Sequence, residues 1–146
     1  MKQPGCELCE AEGGRLLLSN ELLRVVLVDD PDFPGFARVI WNDHVREMSD
    51  LAAADQQRLM QTVFAVERAQ RAVLAPEKVN LASLGNVVPH LHWHVIPRFV
   101  NDSHFPQPIW GTRQREQSEE ALASRQAQLD RLRRRIAEEV AHVARP

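Results

Sequence analysis

The sequence has no long apolar run and little net charge. No apolar stretch among its 146 residues approaches the roughly 20 residues that a membrane-spanning helix needs, so no membrane partner is expected. The net charge of -2 provides no general attraction to nucleic acid, which is therefore not an expected partner either. The first residues contain no hydrophobic region of a signal peptide, and we expect a cytoplasmic location.

Cysteine is also scarce. Two residues, Cys6 and Cys9, cannot hold a domain of this size together by disulfide bonds. Their C-x-x-C spacing indicates metal or redox chemistry more often than a structural disulfide in a reducing compartment. With 44% apolar and 26% charged residues, the chain has the composition of a globular domain with a substantial core.

The distribution of apolar residues predicts an α+β fold. Five segments have the pattern of strands: residues 15–19, 23–28, 37–41, 79–84 and 91–97. Apolar residues at helical spacing predict one central helix from about residue 49 to 74 and a long C-terminal helix over 118–143. Strands joined by short turns favour an antiparallel sheet. We therefore expect a main domain over 1–113, with residues 114–146 packed on it or on a dimer partner.

Three of the six histidines, His90, His92 and His94, alternate with apolar residues. On a strand, this period of two places all three imidazoles on one face. Such a row suits three kinds of chemistry. Neutral imidazoles bind zinc, a neutral imidazole attacks phosphorus as a nucleophile, and protonated imidazoles bind anions.

Residues 90–96, with the sequence HLHWHVI, resemble the signature of the histidine triad (HIT) family, His-φ-His-φ-His-φ-φ with φ apolar. The resemblance covers residues 6 to about 111. It implies a HIT-like antiparallel sheet and a nucleotide hydrolase or transferase, usually a homodimer. Such proteins cleave a bond at the α-phosphorus of a nucleoside phosphoramidate or a dinucleoside polyphosphate. It makes His92 the nucleophile, which forms a transient nucleotidyl-histidine, and His94 the phosphate-binding partner. No divalent ion is expected for the chemical step.

The resemblance also implies contacts with the nucleotide substrate. The pair Gly85-Asn86 stands where family members commonly carry Gly-Gln, so Asn86 is expected to bind a phosphate oxygen. Asn80 lies near the position of an asparagine that contacts the nucleotide in many members. Asp29 is the better match for the acidic residue that binds the ribose hydroxyls, and Asp30 is the next.

A C-x-x-C pair with two distant histidines forms a structural zinc set. Some branches of the family build such a site from an N-terminal C-x-x-C pair, a histidine after the third strand and the first triad histidine. The matching residues here are Cys6, Cys9, His44 and His90. The resemblance thus implies a structural zinc that turns His90 away from the phosphate.

Two other functions stay open. One is a nucleotide-binding regulatory protein with little turnover, and the other is a zinc-dependent hydrolase that uses the histidine row as ligands. Trp110 is expected to be a packing residue and His104 a local hydrogen-bonding residue. The residues do not determine the base or the leaving group of the substrate.

Overall fold

Five strands form the sheet that carries the histidine row in the computed structural model, which describes residues 1–143. In chain order they are β1 (Arg15–Ser19), β2 (Leu23–Leu27), β3 (Ala37–Trp41), β4 (Lys78–Ala82) and β5 (His92–Arg98). All pair antiparallel in the spatial order β1-β2-β3-β5-β4, so the histidine-bearing strand lies inside the sheet. The predicted α+β class with a five-stranded antiparallel sheet is confirmed.

Two of the four helices cover one face of this sheet. The helices are α1 (Glu7–Glu10), α2 (Ala53–Leu74), α3 (Glu119–Gln126) and α4 (Leu129–Val143), and a 3-10 turn spans Met48–Asp50. The apolar residues of β2, β3 and β5 that point to this face pack on α2 and α4 in the main core. Within residues 1–143, no helix has the length and apolar character needed to cross a membrane.

The opposite face of the sheet is covered by loops and by the N-terminal segment. Leu8 of α1 packs on Val26 and Ile40, and Phe33 and Phe36 pack on the end of β5. Close approach of the N-terminal segment depends on a glycine at position 13. Gly13 has φ of +84°, and a Cβ atom there would lie 2.7 Å from Leu8 Cδ2. This face, with less apolar cover, is where His92 and His94 point.

The central helix begins later than the sequence predicts. Ser49 and Asp50 belong to the 3-10 turn, in which the Asp50 carboxylate accepts a hydrogen bond from the backbone N–H of Glu47. The α-helix follows from Ala53 and ends at Leu74, and the next residue, Ala75, has a left-handed conformation just before Pro76. The capping signal therefore starts a separate turn, and the predicted end of the helix is correct.

The predicted C-terminal helix is divided in two. Helix α3 contains no buried residue, so burial does not set its direction. It is held instead by Arg125, which donates to Asn101 at 2.7 Å and lies over the ring of Phe99 at 3.6 Å. The chain turns at residues 127–128, and α4 then packs Leu132 and Ile136 into the main core against α2. The predicted segment 114–146 extends three residues beyond those that the structure describes.

Candidate active site

His92 and His94 lie on one face of β5 because side chains two apart on a strand point the same way. The Nδ1 atom of His92 lies 2.6 Å from the carbonyl oxygen of His90. A carbonyl oxygen only accepts, so Nδ1 carries the proton and Nε2 keeps a free lone pair. Burial lowers the pKa of His92, although the hydrogen bond to His90 opposes this shift. His92 is therefore neutral at pH 7 and able to act as a nucleophile.

His94 is enclosed by three aromatic rings. The ring centroids of Phe36, His92 and Trp110 lie 5.7, 4.8 and 4.9 Å from that of His94. Burial lowers the pKa of His94 to about 3, with further lowering from His92 and Arg38. Its buried Nδ1 has no hydrogen-bond partner among residues 1–143. A neutral imidazole with an unused nitrogen is a suitable contact for a polar atom of a ligand.

Both histidines line a cavity of about 440 Å³. Small-molecule sites have volumes of roughly 300–1,000 Å³, so the cavity has the size of such a site. Several parts of the chain form its wall: Glu7 and Leu8, Arg38, residues 84–88, His92 and His94, and Trp110. The register of the sheet brings the charge of Arg38 to this place, because Arg38 on β3 is the cross-strand neighbour of His94.

A second polar cluster lies beside the row. The ligand atoms of Cys6, Cys9, His44 and His90 all lie within 4.8 Å of one another. The Sγ atoms of the two cysteines are 3.4 and 3.5 Å from Nδ1 of His90, and Cys9 Sγ is 3.5 Å from Nδ1 of His44. Nε2 of His90 donates to the carbonyl oxygen of Trp41 at 2.6 Å, which leaves Nδ1 with its lone pair toward the sulfur atoms.

The geometry of this cluster fits a tetrahedral zinc ion. Zinc–sulfur bonds of about 2.3 Å and zinc–nitrogen bonds of about 2.0–2.1 Å place sulfur and nitrogen about 3.5 Å apart. The three sulfur–nitrogen distances of 3.4, 3.5 and 3.5 Å agree with that value. The bond from His90 to Trp41 is the type of outer contact that orients a metal-binding histidine. The four residues of the predicted set can therefore hold a metal ion together.

A family model described as the HIT domain matches residues 12–101, which is more than half of the chain. The chain belongs to the histidine triad (HIT) family. The resemblance carried by residues 90–96 is thereby confirmed. The prediction that one strand holds all three histidines is wrong for His90, because β5 begins at His92 and the ring of His90 lies against the cysteines instead.

Solved HIT structures resemble this chain over most of its length. A histidine triad protein from Bradyrhizobium japonicum is 30% identical, with a TM-score of 0.71, over 86% of this chain and 92% of that one. A zinc-bound histidine triad family protein from Mycobacterium smegmatis is 22% identical, with a TM-score of 0.58, over 88% of this chain and 95% of that one, and shares the fold. An AP-4-A phosphorylase of Mycobacterium tuberculosis is 29% identical over 108 residues, or 70% of this chain. This chain spans about half (55%) of the length of that curated relative.

The predicted nucleotide-binding residues of this HIT chain do not all lie at one place. Asn86 lines the cavity together with His94. Asp29 and Asp30 line a separate cavity of about 280 Å³ beyond the end of β2. The side-chain oxygen of Asn80 accepts a hydrogen bond from Nη1 of Arg98 at 2.8 Å. The structure thus brings Asn86 and the two histidines together, and the roles of Asp29 and Asn80 stay predictions.

Among the cavity residues without a site role assigned from the sequence, three have charged or aromatic side chains: Glu7, Arg38 and Trp110. Arg38 had a recognisable signal, because it is a single charged residue inside the otherwise apolar strand Ala37–Trp41. The expected packing role of Trp110 does not match a side chain that is 52% exposed and contacts His94 edge to face. His104 forms the expected local hydrogen bond, with Ser103 Oγ 2.8 Å from its Nδ1.

A buried ion pair fixes the loop that carries Trp110. Arg98 contacts Asp102 through Nε at 2.8 Å and Nη2 at 3.1 Å, and its Nη2 also donates to the carbonyl oxygen of Gln107 at 2.7 Å. The Asp102 carboxylate accepts further bonds from three backbone N–H groups, those of Phe99, His104 and Phe105. Although burial raises the pKa of Asp102, these hydrogen bonds bring it below its ordinary value. The loop after β5 is therefore anchored by side chains rather than by sheet pairing.

Proposed function

We propose that this HIT protein is a nucleotide hydrolase or transferase. It cleaves a bond at the α-phosphorus of a nucleoside phosphoramidate or a dinucleoside polyphosphate. The observation that carries the proposal is the 2.6 Å hydrogen bond from His92 Nδ1 to the carbonyl oxygen of His90. It fixes the tautomer in which Nε2 of His92 is free for attack, beside His94 in a cavity of the required size.

The proposed reaction has two steps. Nε2 of His92 forms a bond to the α-phosphorus while the bond from phosphorus to the leaving group breaks, and the leaving group takes the electron pair. Water or another acceptor then attacks phosphorus and loses its proton to solvent, and the nitrogen–phosphorus bond breaks with its electron pair returning to Nε2. The Nδ1–H of His92 stays bonded to His90 throughout, which stabilises the positive charge on the nucleotidylated ring.

The neighbouring residues serve binding in this proposal. His94 binds an oxygen of the phosphate next to the leaving group, and Asn86 donates to another phosphate oxygen from the 84–88 loop. The nucleotide contacts predicted for Asp29 and Asn80 remain part of the proposal. The similarity to an AP-4-A phosphorylase supports a nucleotide substrate, over the half of that protein which the chain spans.

The cysteine–histidine cluster is proposed to bind a structural zinc ion. The fit of the donor distances supports it, as does the zinc-bound M. smegmatis protein with the same fold. Cys6, Cys9, His44 and His90 would be its ligands, and the ion would link the N-terminal segment to the entrance of β5. The chemical step itself is proposed to need no divalent ion.

Two rival functions make different demands on the site. A zinc hydrolase that uses all three histidines of the row needs a free nitrogen on His90, but both nitrogens of His90 are engaged, with Trp41 and with the cysteines. A regulatory protein that only binds nucleotides would share the cavity but would form no covalent adduct.

A homodimer is also proposed, because Phe64 on α2 and Leu81 on the edge strand β4 expose apolar surface that an interface would cover.

The decisive experiment is to trap the nucleotidyl adduct. Protein mixed with an adenosine phosphoramidate or with diadenosine tetraphosphate is quenched and examined by mass spectrometry. An added nucleotidyl mass on the peptide that contains His92, absent in His92→Asn, supports the mechanism. Turnover in His92→Asn at the wild-type rate would falsify the assigned nucleophile, and binding without any adduct or turnover would favour the regulatory protein.

A further inference from the structure

Arg38 is placed by the sheet directly at the reacting groups. It pairs with His94 across β3 and β5, and the period of two puts both side chains on the face that forms the cavity. Arg38 therefore lies beside both histidines at the cavity.

The hydrogen bonding of Arg38 differs from that of two other buried arginines. Arg24 and Arg98 each donate four hydrogen bonds to protein atoms. Arg38 makes one among residues 1–143, from Nη1 to the carbonyl oxygen of Gly13 at 2.9 Å, and its buried Nε has no partner. Arg24 and Arg98 thus use most of their five N–H groups within the protein, whereas Arg38, which lines the cavity, leaves most of its N–H groups unused.

Arg38 also lacks a paired carboxylate. Arg98 has Asp102 at 2.8 Å, but Arg38 forms no ion pair within the described residues. Glu7, which also lines the cavity, acts on Arg38 only at longer range. A partly buried cation without a counter-charge is costly unless an anion binds to it. A phosphate group suits this purpose, because a guanidinium matches its geometry with two parallel donors.

The leaving group distinguishes the two substrate classes of the proposed function. A phosphate chain leaves as an anion when the P–O bond breaks, so it needs a nearby cation and no proton. An amine leaves a phosphoramidate with the electron pair of the P–N bond, so its nitrogen must gain a proton. Arg38 supplies a fixed charge but not a proton, because arginine stays protonated in proteins.

We propose that Arg38 binds the departing phosphate chain and makes the site selective for nucleotides whose leaving group is joined to the α-phosphorus through a phosphate oxygen, over phosphoramidates. This assignment rests on the proposed function of the same site. In the first step, the bridging oxygen of the leaving chain takes the electron pair of the P–O bond, and Arg38 stabilises the negative charge that develops on the chain. Arg38 touches the leaving group rather than the nucleophile, so its effect depends on the substrate.

The kinetic test compares two substrates with variants of Arg38 in the full chain. Arg38→Gln keeps an N–H donor for Gly13 but removes the charge, and Arg38→Lys keeps the charge without the bidentate geometry. We expect Arg38→Gln to lower kcat/KM for diadenosine tetraphosphate on the order of 10²-fold, and for adenosine phosphoramidate less than about threefold. Arg38→Lys should recover part of the loss. Arg15→Gln, the same charge change at an exposed site on β1, should leave both values unchanged.

Equal losses for both substrates, or no loss for the tetraphosphate, would overturn the assignment and leave Arg38 a structural residue. Thermal unfolding shows which variants fold. If Arg38→Gln does not fold, Arg38→Lys is the test. The ratio of its kcat/KM for diadenosine tetraphosphate to its kcat/KM for adenosine phosphoramidate must be lower than in the wild type.

A binding measurement separates this proposal from the proposed function. In protein that carries His92→Asn, Arg38→Gln should weaken diadenosine tetraphosphate at least about tenfold and leave AMP unchanged. If the wild type turns over neither substrate, the proposed function fails, yet this selective loss still supports Arg38 as the binder of the phosphate chain. Tetraphosphate affinity that does not depend on Arg38 would sink the assignment whether or not turnover occurs.

Discussion

The Nδ1 atom of His92 lies 2.6 Å from the carbonyl oxygen of His90, and the ring of the same His90 is held between the two cysteines and Trp41. The peptide group that sets the tautomer of the proposed nucleophile thus belongs to the residue anchored in the cysteine–histidine cluster. Movement of His90 would displace the oxygen to which His92 is bonded. The two sites are therefore linked through a single residue.

This link makes the cluster relevant to activity as well as to stability. We expect the wild type purified without chelator to contain about one zinc ion per chain, and Cys9→Ala to contain little. Cys9→Ala should lower the unfolding midpoint by roughly 5 °C or more, since a structural metal contributes to folding. It should also lower kcat, because the orientation of His92 is disturbed. Metal analysis, thermal unfolding and steady-state kinetics measure these three effects.

His142→Ala is the matched control, because it removes an exposed histidine near the end of α4. Zinc content, midpoint and kinetics should all match the wild type. Two results together would contradict the zinc assignment: wild type purified without chelator contains no zinc, and Cys9→Ala is as stable as the wild type.

The strands of this protein are well predicted from sequence where alternation and turns agree. Residues 15–19 and 37–41 are strands with the predicted bounds. Between the first two strands, Asn20 accepts hydrogen bonds from the backbone N–H groups of Leu22 and Leu23, which explains the tight turn. Local chemistry determines these elements, so a single sequence is sufficient to predict them.

Features that depend on contacts between residues distant in sequence are harder to predict from the sequence. The apolar spacing from Leu122 to Leu129 is compatible with one helix, but the contact of Arg125 with Phe99 and the packing of α4 on α2 divide it. Asn80 has no local signal that its side chain serves Arg98. Cys6 and His90 are 84 residues apart in the chain, so their contact is predictable only from the family resemblance. The place of Arg38 in the cavity is also not predictable from local sequence, because it depends on the pairing of β3 with β5.

The buried pair of Arg98 and Asp102 should contribute strongly to stability. Asp102→Asn leaves the guanidinium without its counter-charge at a site where both side chains are almost fully buried. We expect a loss of about 3–5 kcal/mol in the free energy of unfolding, measured by chemical denaturation. Asp32→Asn removes the partner of Arg113 in an exposed pair at 3.2 Å, and its cost should be at most about 1 kcal/mol. Similar costs for the two variants would show that Asp102 does not anchor the loop.

The buried, neutral state of His94 predicts a dependence of stability on pH. In the unfolded chain a histidine has a pKa of about 6.5, whereas burial lowers the pKa of His94 to about 3 in the folded protein. Between these values the unfolded state binds a proton that the folded state does not, so acid destabilises the fold. The free energy of unfolding of the wild type should therefore fall relative to that of His94→Phe as pH decreases from 7 to 4. Parallel curves for the two proteins would contradict the buried environment of His94.

Trp110 should report directly on occupancy of the cavity. Its side chain is half-exposed and its ring centroid lies 4.9 Å from that of His94, so a nucleotide that contacts His94 must change the surroundings of the indole. We expect AMP to change the tryptophan fluorescence of the wild type. Trp110→Phe should lose most of this change while still binding AMP in calorimetry.

The control for this signal is Trp93→Phe. Trp93 is next to His94 in sequence but points to the other face of β5, where it packs on the main core and donates to Met48 Sδ at 3.4 Å. Its replacement should preserve the fluorescence change. A change that survives in Trp110→Phe and disappears in Trp93→Phe would place the nucleotide on the wrong side of the sheet. Because the two indoles lie on opposite faces, this pair of variants tests the location of the site without depending on turnover.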